Sequence, residues 1–562
     1  MRIKLLAHLA VLTLAWLLVF HQALYAGFTL IDDGTLNWEA LQAISHPNWM
    51  GEIQDVWYRP RVQEGSRYLP AWWLLRWTEV KLFWPNPLPM HLIHLLVCIF
   101  PLAAGGYALA RTFSHAIYLY LPSLVFCMFF DVSWSSVSWN LFDISTFDPL
   151  ATAGFVTTLV LFAEVPFLRS NRLKILALAG VYLASFIATH AKESVAVATG
   201  GLIPFLLLFC IVYRRDRWCV AASMLVALNV VTFLVGFYTS GAYTASRSAS
   251  YASGYQPTVT IMTQSLKQFS IIIGNLTGLL IPIVFILAVP PGIALIRAGS
   301  KLKSYGIQRQ DTLFFLLGSG SVSSLVAVLP FRDIGAVNRF AHIWCSTFSL
   351  FSVLVIATAW QNRKLIFPHL QNYLVVRSAT STAIVLGLAL LPFVPLRIIS
   401  FSTFYRSLLQ SEYELSEQVR SRLARYPDSQ VEVIAINDQP SFYWGIHNHL
   451  RNMGLPNPQA RLKWLKSSDV EAPTESTGGR YIVIVSRAPA FSNPIVDDFS
   501  VAIPVNNTRI ISFNRTRAID LGRWFFSNGN APWHFEVYRH GHYICLTAVS
   551  YTHLTLPTNR EV

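Results

Sequence analysis

Long apolar segments recur over roughly the first 400 residues and are separated by polar loops. Many are close to 20 residues long, the length that an α-helix needs to cross a hydrocarbon core of roughly 30 Å. The first segment also resembles a signal peptide, but the many spans that follow favour an uncleaved helix. The pattern predicts an all-α polytopic domain with about 11 transmembrane helices, at residues 5–24, 89–110, 115–130, 149–168, 175–190, 195–213, 218–238, 271–296, 312–330, 342–360 and 378–396.

The loops between these segments alternate in their content of lysine and arginine. Because cation-rich loops stay in the cytoplasm, the alternation predicts a cytoplasmic N-terminus and an outer C-terminus. The composition agrees with a membrane protein, since 53% of the residues are hydrophobic, 13% are charged and the mean hydropathy is +0.44. The net charge of +14 lies largely in the cation-rich loops, so it predicts no nucleic-acid partner. These loops contain Arg2, Lys4, Arg111, Arg169, Arg172, Lys174, Arg214, Arg215, Arg217, Arg297, Lys301, Lys303, Arg309, Arg363, Lys364 and Arg377.

The composition changes after residue 396. Strand-like runs at 431–436 and 481–485, with helical patterns at 402–425 and 441–453, predict a small extracytoplasmic α/β domain over 397–548. Its two His-x-His pairs are more typical of exposed surface histidines than of a metal site. The last residues, 549–562, fit neither period and resemble read-through of a sequencing adapter, so we expect a non-native tail.

Polar chemistry is concentrated on the predicted outer side. The first outer loop, 25–88, is long and places Asp32 and Asp33 directly after the first span, where a carboxylate pair could serve as a general base. Residues 69–83 predict an amphipathic helix in the membrane interface, a setting that favours tryptophan and arginine. The tryptophans of this loop fit an aromatic belt equally well.

Later outer loops add further ionisable groups. Asp143 lies in a cation-free loop over 131–148, and Lys192 and Glu193 lie between two spans. The second pair either caps a helix by itself or lines a wet cavity. Arg339 has no obvious partner in the sequence, which suits anion binding. The loop 239–270 is rich in small residues and predicts a mobile lid.

Five short motifs occur in a fixed order along the chain: Ile31-Asp32-Asp33, Trp57-Tyr58-Arg59-Pro60, Asn86-Pro87 followed by His91 and His94, Ala191-Lys192-Glu193-Ser194, and Asn338-Arg339-Phe340. This order resembles that of the GT-C glycosyltransferases, especially the protein O-mannosyltransferase-like group and its tetratricopeptide-bearing relatives. The resemblance covers roughly residues 1–396. The chain departs from the pattern where Phe340 replaces a tyrosine, and it shows no tetratricopeptide repeat.

The resemblance implies transfer of a sugar from a polyprenyl phosphate or diphosphate carrier to a protein or glycan acceptor, with inversion at the anomeric carbon. Asp32 or Asp33 would act as the general base. No cofactor is assigned, although four outer carboxylates could hold a divalent metal: Asp32, Asp33, Asp143 and Asp148. The implied donor-phosphate ligands are Arg59, Lys192 and Arg339, and the implied cavity-lining residues are Glu193, His91, His94 and Asp143.

Two other classes stay open at this point, a secondary transporter and a non-catalytic scaffold that binds a glycan or lipid. Transporter sites cluster at the bilayer midplane, whereas the ionisable residues here lie at span ends. The short loops and the compact outer domain favour a bacterial inner membrane with a periplasmic C-terminal domain. An endoplasmic reticulum membrane is the alternative, in which the sequons at Asn506 and Asn514 would matter.

Overall fold

The chain is described here from a computed structural model. It places most residues up to 361 and a set of strands further along. The described ranges are 2–24, 48–58, 68–127, 140–141, 143–144, 146–213, 216–240, 258–272, 284–289, 292, 308–330 and 341–361, followed by 431–436, 462–465, 480–486, 502–503, 509–513, 535–539 and 543–548.

Thirteen of the described helices are numbered in chain order. A 3₁₀ turn at Val165–Phe167 extends the seventh, and a π-helical turn at Phe209–Tyr213 extends the ninth. The helices are α1 Arg2–Val19, α2 His21–Leu24, α3 Trp49–Tyr58, α4 Pro70–Phe83, α5 Pro87–Phe113, α6 Ile117–Cys127, α7 Asp148–Glu164, α8 Asn171–Ala191, α9 Glu193–Leu208, α10 Arg217–Thr239, α11 Val259–Ile272, α12 Arg309–Val328 and α13 His342–Gln361.

Among the described residues, 7 helices are long and apolar enough to cross a membrane. Each coincides with a predicted span, so the prediction of a helical membrane domain is confirmed in this coarser form. The shorter apolar helices α1 and α6 lie where spans 5–24 and 115–130 are predicted. Spans 271–296 and 378–396 lie largely or wholly outside the described residues, and the total of about 11 stays a prediction. The 7 segments are Pro87–Phe113, Asp148–Phe167, Asn171–Ala191, Glu193–Ile211, Arg217–Thr239, Arg309–Val328 and His342–Ala359.

Local sequence signals fix several helix ends. The side chain of Asn86 accepts a hydrogen bond from the backbone N–H of Leu88 at 3.1 Å and caps α5. Ser170 caps α8 in the same way through Leu173. At the other end of α5, Ser114 adopts a left-handed conformation with φ of 61°, which stops the helix.

Helix α13 is the centre of the bundle. In its apolar segment His342–Ala359, 94% of the residues are buried, and the helix packs against α5, α6, α7 and α12. Helices α7 and α8 approach each other most closely at Gly154, where an added Cβ would lie 2.6 Å from the carbonyl oxygen of Ala184. Only a glycine allows this backbone approach, so this residue sets the spacing of the two helices.

Two predicted loops contain helices in the structure. Helix α3 lies inside the first outer loop, before the expected helix at 69–83, which is present as α4. Helix α11 occupies the last part of the loop predicted over 239–270, so this loop contains a helix from Val259 onward. The mobility predicted for the loop stays a prediction. The sequence signal for α11 is the helical spacing of Val259, Met262 and Leu266, which the amino-acid composition of the loop does not reveal.

The described strands are β1 Val431–Ile436, β2 Leu462–Leu465, β3 Arg480–Ser486, β4 Ala502–Ile503, β5 Arg509–Phe513, β6 Phe535–Arg539 and β7 Tyr543–Ala548. They form two sheets, described here by their backbone. The first has the order β2-β1-β3-β7-β4, with β1 parallel to β2 and β3, and β7 antiparallel to β3 and β4. The second pairs β5 with β6 antiparallel. The predicted helices 402–425 and 441–453 lie outside the described residues, so the α/β class of this region stays a prediction.

Candidate functional site

The bundle has two chemically different ends. We call the end where α5, α7, α9 and α13 begin and α8 and α12 finish the polar end, and the opposite one the basic end. None of the 7 apolar segments carries Asp, Glu, Lys or Arg in its central third. The buried Asp, Glu, Lys, Arg and His side chains of the described residues instead gather at the polar end, namely Glu52, Arg76, Glu79, His91, His94, Asp143, Asp148, His190, Lys192 and His342.

Lys192 is a one-residue break between α8 and α9. Its backbone is extended, with φ of −158° and ψ of 130°, whereas its neighbours on both sides are helical. Its carbonyl oxygen accepts hydrogen bonds from the N–H groups of Val195 and Ala196 and so starts α9. The break separates two spans and leaves the lysine side chain only 3% exposed.

The buried ammonium group faces a carboxylate and an aromatic ring. Nζ of Lys192 lies 3.8 Å from Oδ2 of Asp148 and 4.9 Å from the ring centroid of Phe147. Phe147 in turn contacts Trp72 of α4, edge to face at 4.8 Å. Asp148 is the first residue of α7, where the helix dipole favours its negative charge. Its Oδ1 atom has no hydrogen-bond partner within the described residues.

The segment before α7 is tied to α5. The Nε2–H of His94 donates to the carbonyl oxygen of Asn140 at 2.5 Å, and the Cys98 thiol donates to the same oxygen. Within the segment, the Thr146 hydroxyl donates to the carbonyl oxygen of Asp143 at 2.8 Å. The Asp143 carboxylate is fully buried and interacts electrostatically with the His94 ring. These bonds hold Asp148 at the start of α7 opposite Lys192.

Helix α4 contributes a second buried ion pair. Nη1 of Arg76 lies 3.5 Å from Oε2 of Glu79, one helical turn away. Burial raises the pKa of Glu79 to about 7, and the Arg76 charge opposes that rise. A cavity of about 10 Å³, room for roughly one water molecule, is lined by both residues together with His94 and Thr146. A helix is therefore present where the interface helix was predicted, but its Arg76 side chain is buried in the protein rather than directed toward water.

Aromatic rings pack around the last turn of α8, next to Lys192. The His190 ring stacks on Phe186 at 4.3 Å and meets Phe233 of α10 edge to face at 5.7 Å. Tyr68, just before α4, contacts both His190 and Phe233. The contacts join α8, α10 and the start of α4 in one apolar wall beside the buried charges.

The structure brings several predicted site residues to the polar end. Lys192, Asp143, His91 and His94 are buried there, and Glu193 is the half-buried first residue of α9. His94 lines the small cavity, whereas His91 is not among its lining residues although the two share a helix. The other four predicted residues, Asp32, Asp33, Arg59 and Arg339, lie outside the described residues, and all assigned roles stay predictions.

The pairing of Lys192 with Asp148 and the burial of Arg76 and Glu79 are absent from the sequence prediction. The alternation of loop charge already places residues 148 and 192 on one side of the membrane, but it does not say which neighbours meet. Arg76 and Glu79 are opposite charges one turn apart in α4, and this spacing is the available signal for the pair.

The described part of the chain contains no cluster of side chains suited to bind a metal ion. No group of three or more His, Cys, Asp or Glu side chains there is placed to hold a metal ion. Asp143 and Asp148, two of the four candidate metal ligands, therefore belong to no such cluster within these residues.

Comparison with protein-family models and with characterised proteins finds no match for this chain. The resemblance to the GT-C glycosyltransferases therefore rests on the order of the quoted motifs.

The buried pair at the helix break should be strongly coupled. We expect Lys192→Gln and Asp148→Asn each to lower the unfolding free energy by about 3 kcal/mol, because each leaves a buried charge without its counter-charge. The double variant should lose about 2 kcal/mol less than the sum of the two. Unfolding of the purified chain in detergent measures the cycle.

The control cycle uses Lys81 and Glu52, a pair at 2.6 Å in which the lysine side chain is 41% and the glutamate side chain 7% exposed, so that water screens one of the two charges. Its coupling should stay below about 1 kcal/mol. Equal small couplings in both cycles would show that the pair at the helix break is not a structural constraint.

Glu79 should make stability depend on pH. Its folded pKa of about 7 lies above the ordinary value of 4.5, so between these values the folded state holds a proton that the unfolded state has lost. Stability from this group is therefore full below about pH 4.5 and falls as pH rises toward 7, by up to about 3 kcal/mol. The wild type and Glu79→Gln should unfold at similar temperatures at pH 5, and the wild type at a lower temperature at pH 8. A constant difference between them would contradict the burial effect.

Proposed function

We propose that this chain is a membrane glycosyltransferase that moves a sugar from a polyprenyl-phosphate-linked donor to an acceptor at the polar end of the bundle. The supporting observation is the gathering of buried ionisable groups around Lys192 at that end. A lipid-linked donor brings a charged phosphate and a long apolar chain to the same place. A site at the end of membrane-crossing helices offers both environments side by side.

Lys192 is the proposed ligand of the donor phosphate among the described residues. Negative charge grows on the phosphate as the bond to the anomeric carbon breaks, and a cation in a low-dielectric site stabilises it by several kcal/mol. The Asp148 carboxylate and the Phe147 ring contact the ammonium group and fix its position before the donor arrives. Arg59 and Arg339 are the proposed additional phosphate ligands.

Asp32 or Asp33 is the proposed general base. The base takes the proton of the acceptor hydroxyl while the oxygen attacks the anomeric carbon and the carrier phosphate departs. One displacement of this kind inverts the anomeric configuration. Glu193, His91, His94 and Asp143 are the proposed cavity-lining residues.

The charge of the two ends supports a direction across the membrane. Arg111, Lys174, Arg217 and Arg309 lie at the basic end, which by the positive-inside rule faces the cytoplasm. The polar end then faces outward, where the predicted first loop also lies. We propose about 11 spans with a cytoplasmic N-terminus, a bacterial inner membrane, and a periplasmic C-terminal domain that recognises a protein or glycan acceptor.

Sugar transfer from radiolabelled polyprenyl-phosphate sugars into envelope material tests the proposal. Asp32→Asn or Asp33→Asn should lower the transfer rate by about 10² to 10⁴-fold, the range for loss of a general base. Lys192→Gln should lower it by about 10² to 10³-fold. Lys192→Arg keeps the charge and should recover part of the rate.

The matched control is Lys81→Gln, which removes a half-exposed lysine of α4 and should leave transfer near the wild-type rate. Membranes with equal amounts of folded protein are compared throughout. Absence of transfer by the wild type from any donor, with variants that behave alike, would overturn the enzyme proposal. Solute flux into vesicles without any donor would point to a transporter, and donor binding without turnover to a scaffold.

A further inference from the structure

The basic end carries an open groove that the proposed function does not use. It lies between the π-helical turn Phe209–Tyr213 and the start of α10, with a volume of about 660 Å³. This volume is in the range of small-molecule sites. Its walls are mostly apolar and open to the surroundings of the bundle. Ile211 and Met224, one on each wall, are 62% and 67% exposed. The groove is lined by Cys210, Ile211, Arg217, Val220, Ala221 and Met224.

Arg217 lies at the rim of this groove and shares one tryptophan ring with a second cation, Lys174 of α8. The Arg217 guanidinium is 5.4 Å from the ring centroid of Trp218, and Nζ of Lys174 is 5.7 Å from the same centroid. The nearby Asp216 carboxylate accepts a hydrogen bond from the backbone N–H of Trp218 at 3.0 Å and caps α10. Beside the groove, the start of α10 thus combines an aromatic ring, typical of the membrane interface, with positive charges from two helices.

The groove fits an amphiphile with a negative head. Apolar walls formed by membrane-crossing helices suit an acyl chain, and the cations at the helix end suit a phosphate at headgroup level. A zwitterionic headgroup carries its own cation, so its attraction to Arg217 and Lys174 would be weaker.

We propose that this groove binds one anionic phospholipid, with its phosphate at Arg217 and Lys174 and an acyl chain along Ile211, Val220 and Met224. The site lies at the end of the bundle opposite Lys192. The inference is therefore independent of the proposed sugar transfer.

Native mass spectrometry of the full chain in a neutral detergent tests this site. Phosphatidylglycerol and phosphatidylcholine with identical acyl chains are titrated separately. The wild type should retain one phosphatidylglycerol molecule at a concentration at least about fivefold lower than phosphatidylcholine, since one cation near a headgroup is worth about 1 kcal/mol. Lys174→Gln with Arg217→Gln should remove this preference. Met224→Trp should weaken retention of both lipids by filling the apolar groove.

The control double variant is Arg169→Gln with Arg172→Gln, which removes the same charge from the same end without touching the groove residues. It should keep the preference for phosphatidylglycerol. Equal lipid retention by the two double variants, or no preference in the wild type, would overturn the proposal. So would displacement of phosphatidylglycerol by millimolar inorganic phosphate, because the site would then recognise the phosphate alone.

Discussion

The ion pair between Lys192 and Asp148 is the constraint on which the polar end depends. Both side chains are almost completely buried, so each pays a desolvation penalty that only its surroundings can offset. The geometry offsets it in three ways: a counter-charge, an aromatic face and the dipole of a helix start. Lys192 reaches these groups because α8 ends directly before it and the chain restarts as α9 directly after it. A backbone feature of one residue therefore brings the starts of α7 and α9 together.

The basic end is closed by a different arrangement. Oε2 of Glu164 accepts hydrogen bonds from Arg111 at 3.4 Å and from Arg309 at 3.0 Å, which joins the ends of α5 and α7 to the start of α12. A carboxylate at a helix C-terminus is unfavourable alone, and two arginines offset that cost. These side chains are more exposed than the pair at Lys192. Their exposed fractions are 12–26%, against 3% for both Lys192 and Asp148.

The long apolar helices were predictable because a membrane-crossing helix needs a local run of apolar residues of the required length. A helix at 69–83 was predicted from its amphipathic pattern, and the alternation of loop charge placed Lys192 and His94 on the same side. The pairing of Lys192 with Asp148 was not predictable, because residues far apart in sequence meet only through helix packing. Helix α11 was missed because the loop was assigned from a run rich in small residues, Ser240 to Tyr255, that precedes this helix.

The residues of the candidate site were likewise predictable only in part. Motif order predicted which cations and carboxylates take part in the site, and loop charge predicted on which side of the membrane they lie. Neither identified Arg76 and Glu79, whose burial is a property of the packed bundle. Asp32, Asp33, Arg59 and Arg339 lie outside the described residues, so their part in the site stands as a prediction from the motif order.

The most direct test of the central claim is to locate the donor on the protein. A photoreactive polyprenyl phosphate would be cross-linked to the full chain in membranes, and the labelled peptides identified by mass spectrometry. The account predicts labels within residues 68–98, 140–152 and 189–196, which form the polar end, and their loss when unlabelled polyprenyl phosphate competes. Competable labels confined to residues 107–117, 161–174 and 309–315 would place the lipid at the basic end and contradict the proposed site.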